Sequence, residues 1–239
     1  MSDPVQLSRF GLFAGANPAL LAAAAARVQQ ISVPAGAVVL DFGDASTDLF
    51  LIVEGAVRVV SRTRGGDELV LGDLAGGEFF GEMAAVDGEP RSANVTALHR
   101  SRLWRLPADA FLAVVLGSPP VGHRLLHLLS DRIRAKDERI LELVTLPVRL
   151  RLCADLLRLG RPRHDGTYVL SPPLQQHVLA ARIGARREAV SRELAALVRC
   201  GLIDNGRRAI ILRDPAKLRA LVDAGQAGAP GRNTVTRQR

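Results

Sequence analysis

Lysine is almost missing from this chain. Of 32 basic residues in 239, two are lysine, Lys136 and Lys217, so the formal charge of +8 is carried by arginine. An arginine bias beside heavy alanine and glycine use can follow genome composition, and the net charge alone identifies no partner. Cysteine is equally scarce. Cys153 and Cys200 lie far apart with no CxxC neighbour, which argues against a disulfide framework and against an iron-sulfur or zinc site. Both are expected to be buried bystander thiols, and no metal is expected. No run of eighteen or more apolar residues occurs, and the opening Met-Ser-Asp-Pro lacks the basic start and apolar stretch of a signal peptide. A cytoplasmic location without membrane contact is expected. There is no Walker loop, no dinucleotide-binding glycine pattern and no His or Cys paired with an orienting group, so the chain reads as a non-enzyme with no catalytic residue.

The charge that is present is unevenly spread. Residues 1–117 carry 9 basic and 13 acidic side chains, a balance of −4, whereas residues 118–239 carry 23 and 11, a balance of +12. A polyanion would sit on the second half. The first half opens on an apolar helix expected over Pro18 to Gln29. Short β-branched runs follow: Val38-Val39-Leu40, Leu51-Ile52-Val53, Val57 to Val60, and Val70-Leu71. The turn residues between them are Ala35-Gly36, Phe42-Gly43-Asp44, Glu54-Gly55 and Gly65-Gly66-Asp67. Strands at such short intervals read as a barrel or sandwich, and Ser101 to Leu106 alternates until Pro107 stops it.

Pro119 to about Leu146 has the pattern of a long helix. Leu126, Ile133 and Ile140 fall seven apart, and so do Leu129, Lys136 and Leu143 three positions later. A narrow seam of this length predicts self-association. Pro147 marks a boundary, where a hinge is expected between this helix and one over Pro147 to Leu159. Two short helical patterns, Gln175 to Ile183 and Arg186 to Arg199, turn at Gly184 with the spacing of a helix-turn-helix. Leu202-Ile203-Asp204 and Ala209 to Leu212 flank Asn205-Gly206-Arg207-Arg208, and Asn-Gly between apolar runs signals a hairpin. After Asp223 the Ala-Gly-rich sequence reads as a frayed tail.

Residues 79–95, Phe-Phe-Gly-Glu-Met-Ala-Ala-Val-Asp-Gly-Glu-Pro-Arg-Ser-Ala-Asn-Val, hold an acid and a base in a spacing suited to a sugar bearing one phosphate. Gly81 permits close backbone approach, and Glu82 to Val86 can form a helical turn whose amides face an anion. Arg91 can grip two phosphate oxygens while Ser92 adds donors. Glu82 would repel phosphate, so its use in the same pocket is to accept from a ribose hydroxyl with its charge balanced by an arginine.

The whole string resembles the phosphate-binding cassette of cyclic nucleotide-binding domains. Together with the Pro34-Ala35-Gly36 and Gly43-Asp44 turns, the Ile52-Val53-Glu54-Gly55 run, the long helix and the helix-turn-helix, roughly residues 10–215 resemble the cyclic AMP receptor protein branch of the Crp-Fnr transcription regulators. The resemblance implies an α+β fold: an N-terminal cyclic nucleotide-binding β-roll (a double-stranded β-helix or jelly roll), a long dimerisation helix and a C-terminal winged helix-turn-helix. It implies a sensor domain over 1–117, a dimerisation helix over 118–146 and a DNA-binding domain over 147–223, after which the composition of 224–239 is that of a disordered tail. Glu82 would meet the ribose 2′-hydroxyl, Arg91 the cyclic phosphate, and Ser92 the phosphate and the base, with Gly81, Met83 and Ala93 beside them. Arg132, one turn before Lys136, would neutralise Glu82.

One departure leaves the base open. Where the receptor protein reads the purine with Thr-Ser, this chain has Lys136-Asp137, a donor-only and an acceptor-only side chain. Asp137 could accept from the adenine amine or from guanine N1-H and N2-H, so the effector is cyclic AMP or cyclic GMP. A vestigial cassette, with DNA binding independent of nucleotide or answering another effector, is the alternative. An oxygen sensor of this family would show clustered N-terminal cysteines, and none precedes Cys153. His99, His123, His127, His164 and His177 read as surface or packing residues rather than haem ligands.

In the second half, Arg-Glu-Ala-Val-Ser-Arg is similar to the family's recognition helix. Arginine suits the guanine O6/N7 edge and glutamate the cytosine amine, so the resemblance makes Arg187, Glu188 and Arg192 base readers, with Ser191 on the same face, at a half-site like TGTGA. Arg186 replaces the usual capping Ser or Thr and would contact phosphate. Gln175, which replaces a threonine, and Gln176 open the preceding helix as further DNA contacts. Arg207 and Arg208 at the hairpin tip would touch phosphates as a wing. The implied partners are double-stranded DNA, a cyclic nucleotide as effector with no bound cofactor, a second copy of the chain and RNA polymerase.

Overall fold

The computed structural model describes residues 7–62 and 68–227. The chain divides into two compact units, Met1–Arg134 and Ala135–Arg239. The turn expected at Gly65-Gly66-Asp67 lies outside the described residues, as does 228–239.

In the first unit the strands are β1 (Gln29–Val33), β2 (Val38–Leu40), β3 (Leu49–Glu54), β4 (Ala56–Arg62), β5 (Glu68–Ala75), β6 (Phe79–Phe80), β7 (Asn94–Ala97) and β8 (Ser101–Leu106). They form two antiparallel four-stranded sheets, β1-β8-β3-β6 and β2-β7-β4-β5. Strand β3 explains why its sequence is a continuous apolar run rather than an alternating one: both of its faces are covered. Phe50 and Ile52 point into a core shared with Leu40, Val57, Phe80, Val95 and Leu103. Leu49 and Leu51 point the other way, with Trp104 and Leu106, into a core closed by helices α1 (Pro18–Ala25), α3 (Ala108–Gly117) and the start of α4 (Pro119–Thr145). Trp104 is buried, faces Leu51 across the sheet and has its ring 5.7 Å from that of Phe10. The short helix α2 (Glu82–Asp87) leads out of β6.

The opening helix stops at Ala25, four residues short of the expected Gln29. The alanine-rich run would tolerate further helix, but Gln29 to Val33 instead pair with Arg105 to Ser101, and this tertiary contact overrides propensity.

The second unit holds the end of α4 together with α5 (Val148–Leu159), α6 (Gln176–Ile183), α7 (Arg187–Arg199) and α8 (Pro215–Ala227). A small antiparallel sheet lies beside them, β11-β12-β10-β9, from Ile203–Asn205, Ile210–Leu212, Tyr168–Leu170 and Arg161–Pro162. Its core joins Leu152 and Leu156 of α5, Leu179 and Ile183 of α6, Val190, Leu194 and Leu197 of α7, Ile210 and Leu212 of β12, and Leu218 of α8. Gly184 caps α6 in the left-handed region at φ 57°, and a Cβ there would lie 3.3 Å from Leu143 Cδ2. A side chain would therefore strain the turn.

The expected hairpin forms: Asn205 ends β11, and the Gly206 N–H donates to the Ala209 carbonyl at 3.0 Å across a four-residue connection. One expectation in this unit changes. Residues 224–227, expected to belong to a tail, are helical, because α8 continues to Ala227. Gly225 lies so near α5 that a Cβ would come within 2.2 Å of Leu150 Cδ1, and this packing holds the helix together.

Candidate ligand cradle and nucleic-acid interface

The string 79–95 folds as β6, α2 and the approach to β7, bringing Gly81, Glu82, Met83, Arg91, Ser92 and Ala93 to one place. Gly81 adopts φ 81°, and a Cβ there would sit 2.7 Å from Arg91 Nη1 and 2.9 Å from the Asp48 carbonyl. Only glycine lets β6 turn into α2 with the guanidinium this close. The amides of the first turn of α2 have no partners within the helix, as at any helix start.

Arg91 is 3% exposed. Its Nε donates to Ser46 Oγ at 3.0 Å, Nη1 to the Gly81 carbonyl at 3.1 Å and Nη2 to the Asp48 carbonyl at 2.8 Å. Three of the five donors of a guanidinium are thus spent on neutral oxygens. No described carboxylate is within ion-pair distance. Burial pushes the Arg91 guanidinium below its ordinary value, and the more distant charges of Asp48 and Asp44 act the other way. The Phe50 ring, stacked on Phe80 at 5.1 Å, lies 5.8 Å from the Arg91 guanidinium carbon. The result is a desolvated cation with two unspent donors, which an anion would complete.

Glu82 is buried and balanced. Arg132 Nη1 donates to Glu82 Oε1 at 2.6 Å and Nη2 to the Phe79 carbonyl at 3.1 Å, with the guanidinium 4.7 Å from the centre of the Phe79 ring. This leaves the second carboxylate oxygen of Glu82 as an acceptor. Ser92 is exposed, its hydroxyl 3.7 Å from Met83 Sδ. Lys136 and Asp137 are exposed on α4 within the second unit, without an ion pair among the described residues. Sequence reasoning missed Ser46 and Asp48, which orient Arg91 from 45 and 43 residues away. No local pattern marks them.

On the second unit, Arg187, Glu188, Ser191 and Arg192 stand exposed along one face of α7, opposite the buried Val190, Leu194 and Leu197. None of Arg186, Arg187, Glu188 or Arg192 is in an ion pair among the described residues, which leaves their charges to face solvent. Arg186 is the N-cap of α7 without a side-chain capping bond, and Gln175 holds the same position before α6. Gln176 is half-buried. Arg207 and Arg208 are exposed at the hairpin tip, where the Arg208 carbonyl accepts from Ser171 Oγ at 3.1 Å. Cys200 is exposed, against expectation, because it lies just past the end of α7 outside the core. Cys153 is buried, and burial pushes its thiol up to about 11. Among the described residues there is no group of three or more metal-ligating side chains and no helix long and apolar enough to cross a membrane.

Residues 30–117 match the cyclic nucleotide-binding domain family and residues 150–221 the Crp-like helix-turn-helix domain family. The chain is 34% identical over 207 residues to the cyclic AMP receptor protein of Thermus thermophilus, covering 87% of this chain and 94% of that protein. It is 27% identical over 215 residues to a CRP-like cAMP-activated global transcriptional regulator of Mycobacterium tuberculosis, covering 89% and 96%. The crystal structure of a CRP/FNR-family transcriptional regulator from Thermus thermophilus superposes with a TM-score of 0.66 at 29% identity, covering 82% of this chain and 98% of that one.

Proposed function

The chain belongs to the Crp-Fnr family of cyclic nucleotide-binding, DNA-binding transcription regulators, and on that premise we propose that it is a homodimer whose effector is cyclic AMP. The observation that carries the ligand reading is Arg91, a buried guanidinium beside the first turn of α2 without a carboxylate partner among the described residues. A cyclic phosphate satisfies its two remaining donors, and Glu82, already neutralised by Arg132, accepts from the ribose 2′-hydroxyl. The cyclic AMP named in both relatives supports adenine over guanine. Lys136 and Asp137 are the side chains that would read the base edge.

Dimerisation is supported by α4 itself. Leu126, Ile133 and Ile140 repeat at seven-residue spacing and are 65%, 59% and 57% exposed in the single chain. Covering each of them is worth about 2 kcal/mol. A parallel pair of α4 helices would present two α7 helices to successive major grooves, roughly 34 Å apart, with Arg187, Glu188 and Arg192 on base edges and Arg186, Arg207 and Arg208 on phosphates. The protein does no covalent chemistry, and its output is contact with DNA and RNA polymerase. Ligand control requires that cyclic nucleotide bind the DNA-competent state more tightly than the other.

A second reading keeps the DNA function and makes the cradle vestigial. It is favoured by the bonds Arg91 already makes to Ser46, Gly81 and Asp48 and by Lys136-Asp137. Calorimetric titration with cyclic AMP and with cyclic GMP, followed by duplex-binding assays with and without each, separates the readings. The effector reading expects saturable cyclic AMP binding and a duplex affinity that rises with it. A duplex affinity indifferent to both nucleotides establishes the vestigial cradle.

A further inference from the structure

Arg139 and Glu142 lie in the last turns of α4, Arg151, Asp155 and Arg158 on α5, and Arg182 at the end of α6. They converge on two carboxylates that are almost wholly out of solvent, Asp155 at 0% and Glu142 at 7% exposure. Arg158 grips Glu142 with both arms, Nη1 to Oε1 at 2.7 Å and Nη2 to Oε2 at 2.8 Å, and Arg139 Nη1 reaches the same carboxylate at 3.2 Å. Arg182 holds Asp155 in a second fork, Nε at 2.8 Å and Nη2 at 3.3 Å, with Arg139 Nη2 3.4 Å away. That Nη2 also donates to the Arg182 carbonyl, and Arg151 Nη1 donates to the carbonyls of Ile183 and Gly184 at the helix-turn-helix turn, at 2.9 and 3.3 Å. Arg139 thus touches α4, α5 and α6 at once.

Buried ion pairs of this kind add little net stability over an apolar replacement, but they hold particular groups in one geometry. No slack separates α4 from α5 either. Leu146 is buried, its N–H still donates to the Glu142 carbonyl, and the amides of Leu150 and Arg151 already bond to Pro147. We propose that Asp155 and Glu142, through Arg139, Arg158 and Arg182, are positioning residues for DNA recognition, clamping the last two turns of α4 to the helix-turn-helix as one rigid body. The DNA half of this inference rests on the reading of α7 as the recognition helix.

Full-length wild type, Glu142→Gln, Asp155→Asn and Arg158→Gln decide it by amide hydrogen exchange beside duplex affinity for inverted TGTGA half-sites. The clamp expects amides of residues 139–146 and 182–185 to exchange about tenfold faster or more in the variants, while α8 keeps its protection. Duplex affinity should fall about tenfold with cyclic AMP affinity unchanged, because a rigid preformed orientation lowers the cost of binding. Arg158 is 42% exposed at its side chain, so Arg158→Gln supplies the same readout if the buried Asp155→Asn does not fold. Unchanged exchange in Glu142→Gln and Arg158→Gln overturns the clamp. Faster exchange with unchanged duplex affinity overturns the positioning role. Equal duplex binding by wild type and Arg187→Ala instead removes the recognition-helix reading, and exchange alone then judges the clamp.

Discussion

Among the described residues neither Arg91 in the first unit nor Arg187 in the second has a carboxylate partner, the one being buried against β3 and the other in water on α7. Desolvation makes the difference. A guanidinium taken out of water with two donors unspent is costly until an anion of the right size arrives, so one contact can carry affinity and selectivity together. A solvated guanidinium costs nothing to leave unpaired, so affinity must be collected from several of them and falls with salt. The second unit half-buries two arginines, Arg139 and Arg182, but these face Asp155 and Glu142. Burial with a carboxylate builds structure, and burial without one builds a site.

The sharpest way to break that contrast is Arg91→Ala. Cyclic AMP affinity should drop about a hundredfold or more, the cost of losing a buried charged hydrogen-bonding partner, while melting stays cooperative. Unchanged affinity by calorimetry would remove the cradle from the ligand site.

Substitutions on α7 and the wing should each do less. Arg187→Ala is expected to cost about 1–3 kcal/mol in duplex affinity and to relax selectivity at one base pair. Arg207→Ala should weaken all duplexes alike and flatten the log-affinity against log-salt slope by about 0.9. Fluorescence anisotropy on matched and base-substituted duplexes at several salt concentrations measures both. Equal selectivity loss from the two variants would show that α7 and the wing are not divided into reading and gripping.

The smallest effect concerns the thiols. Cys200 should react with Ellman's reagent in the folded protein, whereas Cys153, buried with its thiol held up to about 11, should react at the rate of unfolding. Two equally fast thiols would mean that the α5 core opens readily.

The parts legible in the sequence were those that local chemistry dictates. Gly81 before Glu82, the Arg91-Ser92 pair and Gly184 between two helical patterns each sit within a few residues of what they control. Less legible was whatever depends on distant chain. Gln29 joins a strand because Ser101 to Arg105 lie beside it, and Arg91 is aimed by Ser46 and Asp48. α8 outlasts its glycine because Leu150 is there to pack on. One long-range feature did leave a trace. Asp155 stands between Leu152 and Leu156 on an otherwise apolar face, and a carboxylate in that position must be paired.

Trp104, wedged between Phe10 and the strand that carries Phe50, is the single tryptophan of the chain, and the second unit has Tyr168 as its one tyrosine. Light absorbed at the red edge of the protein spectrum is therefore emitted by the sensor unit alone. The molecule needs no label for its two halves to be followed separately, with indole fluorescence reporting the sensor and helical circular dichroism weighted toward the DNA-binding unit as each is heated or titrated.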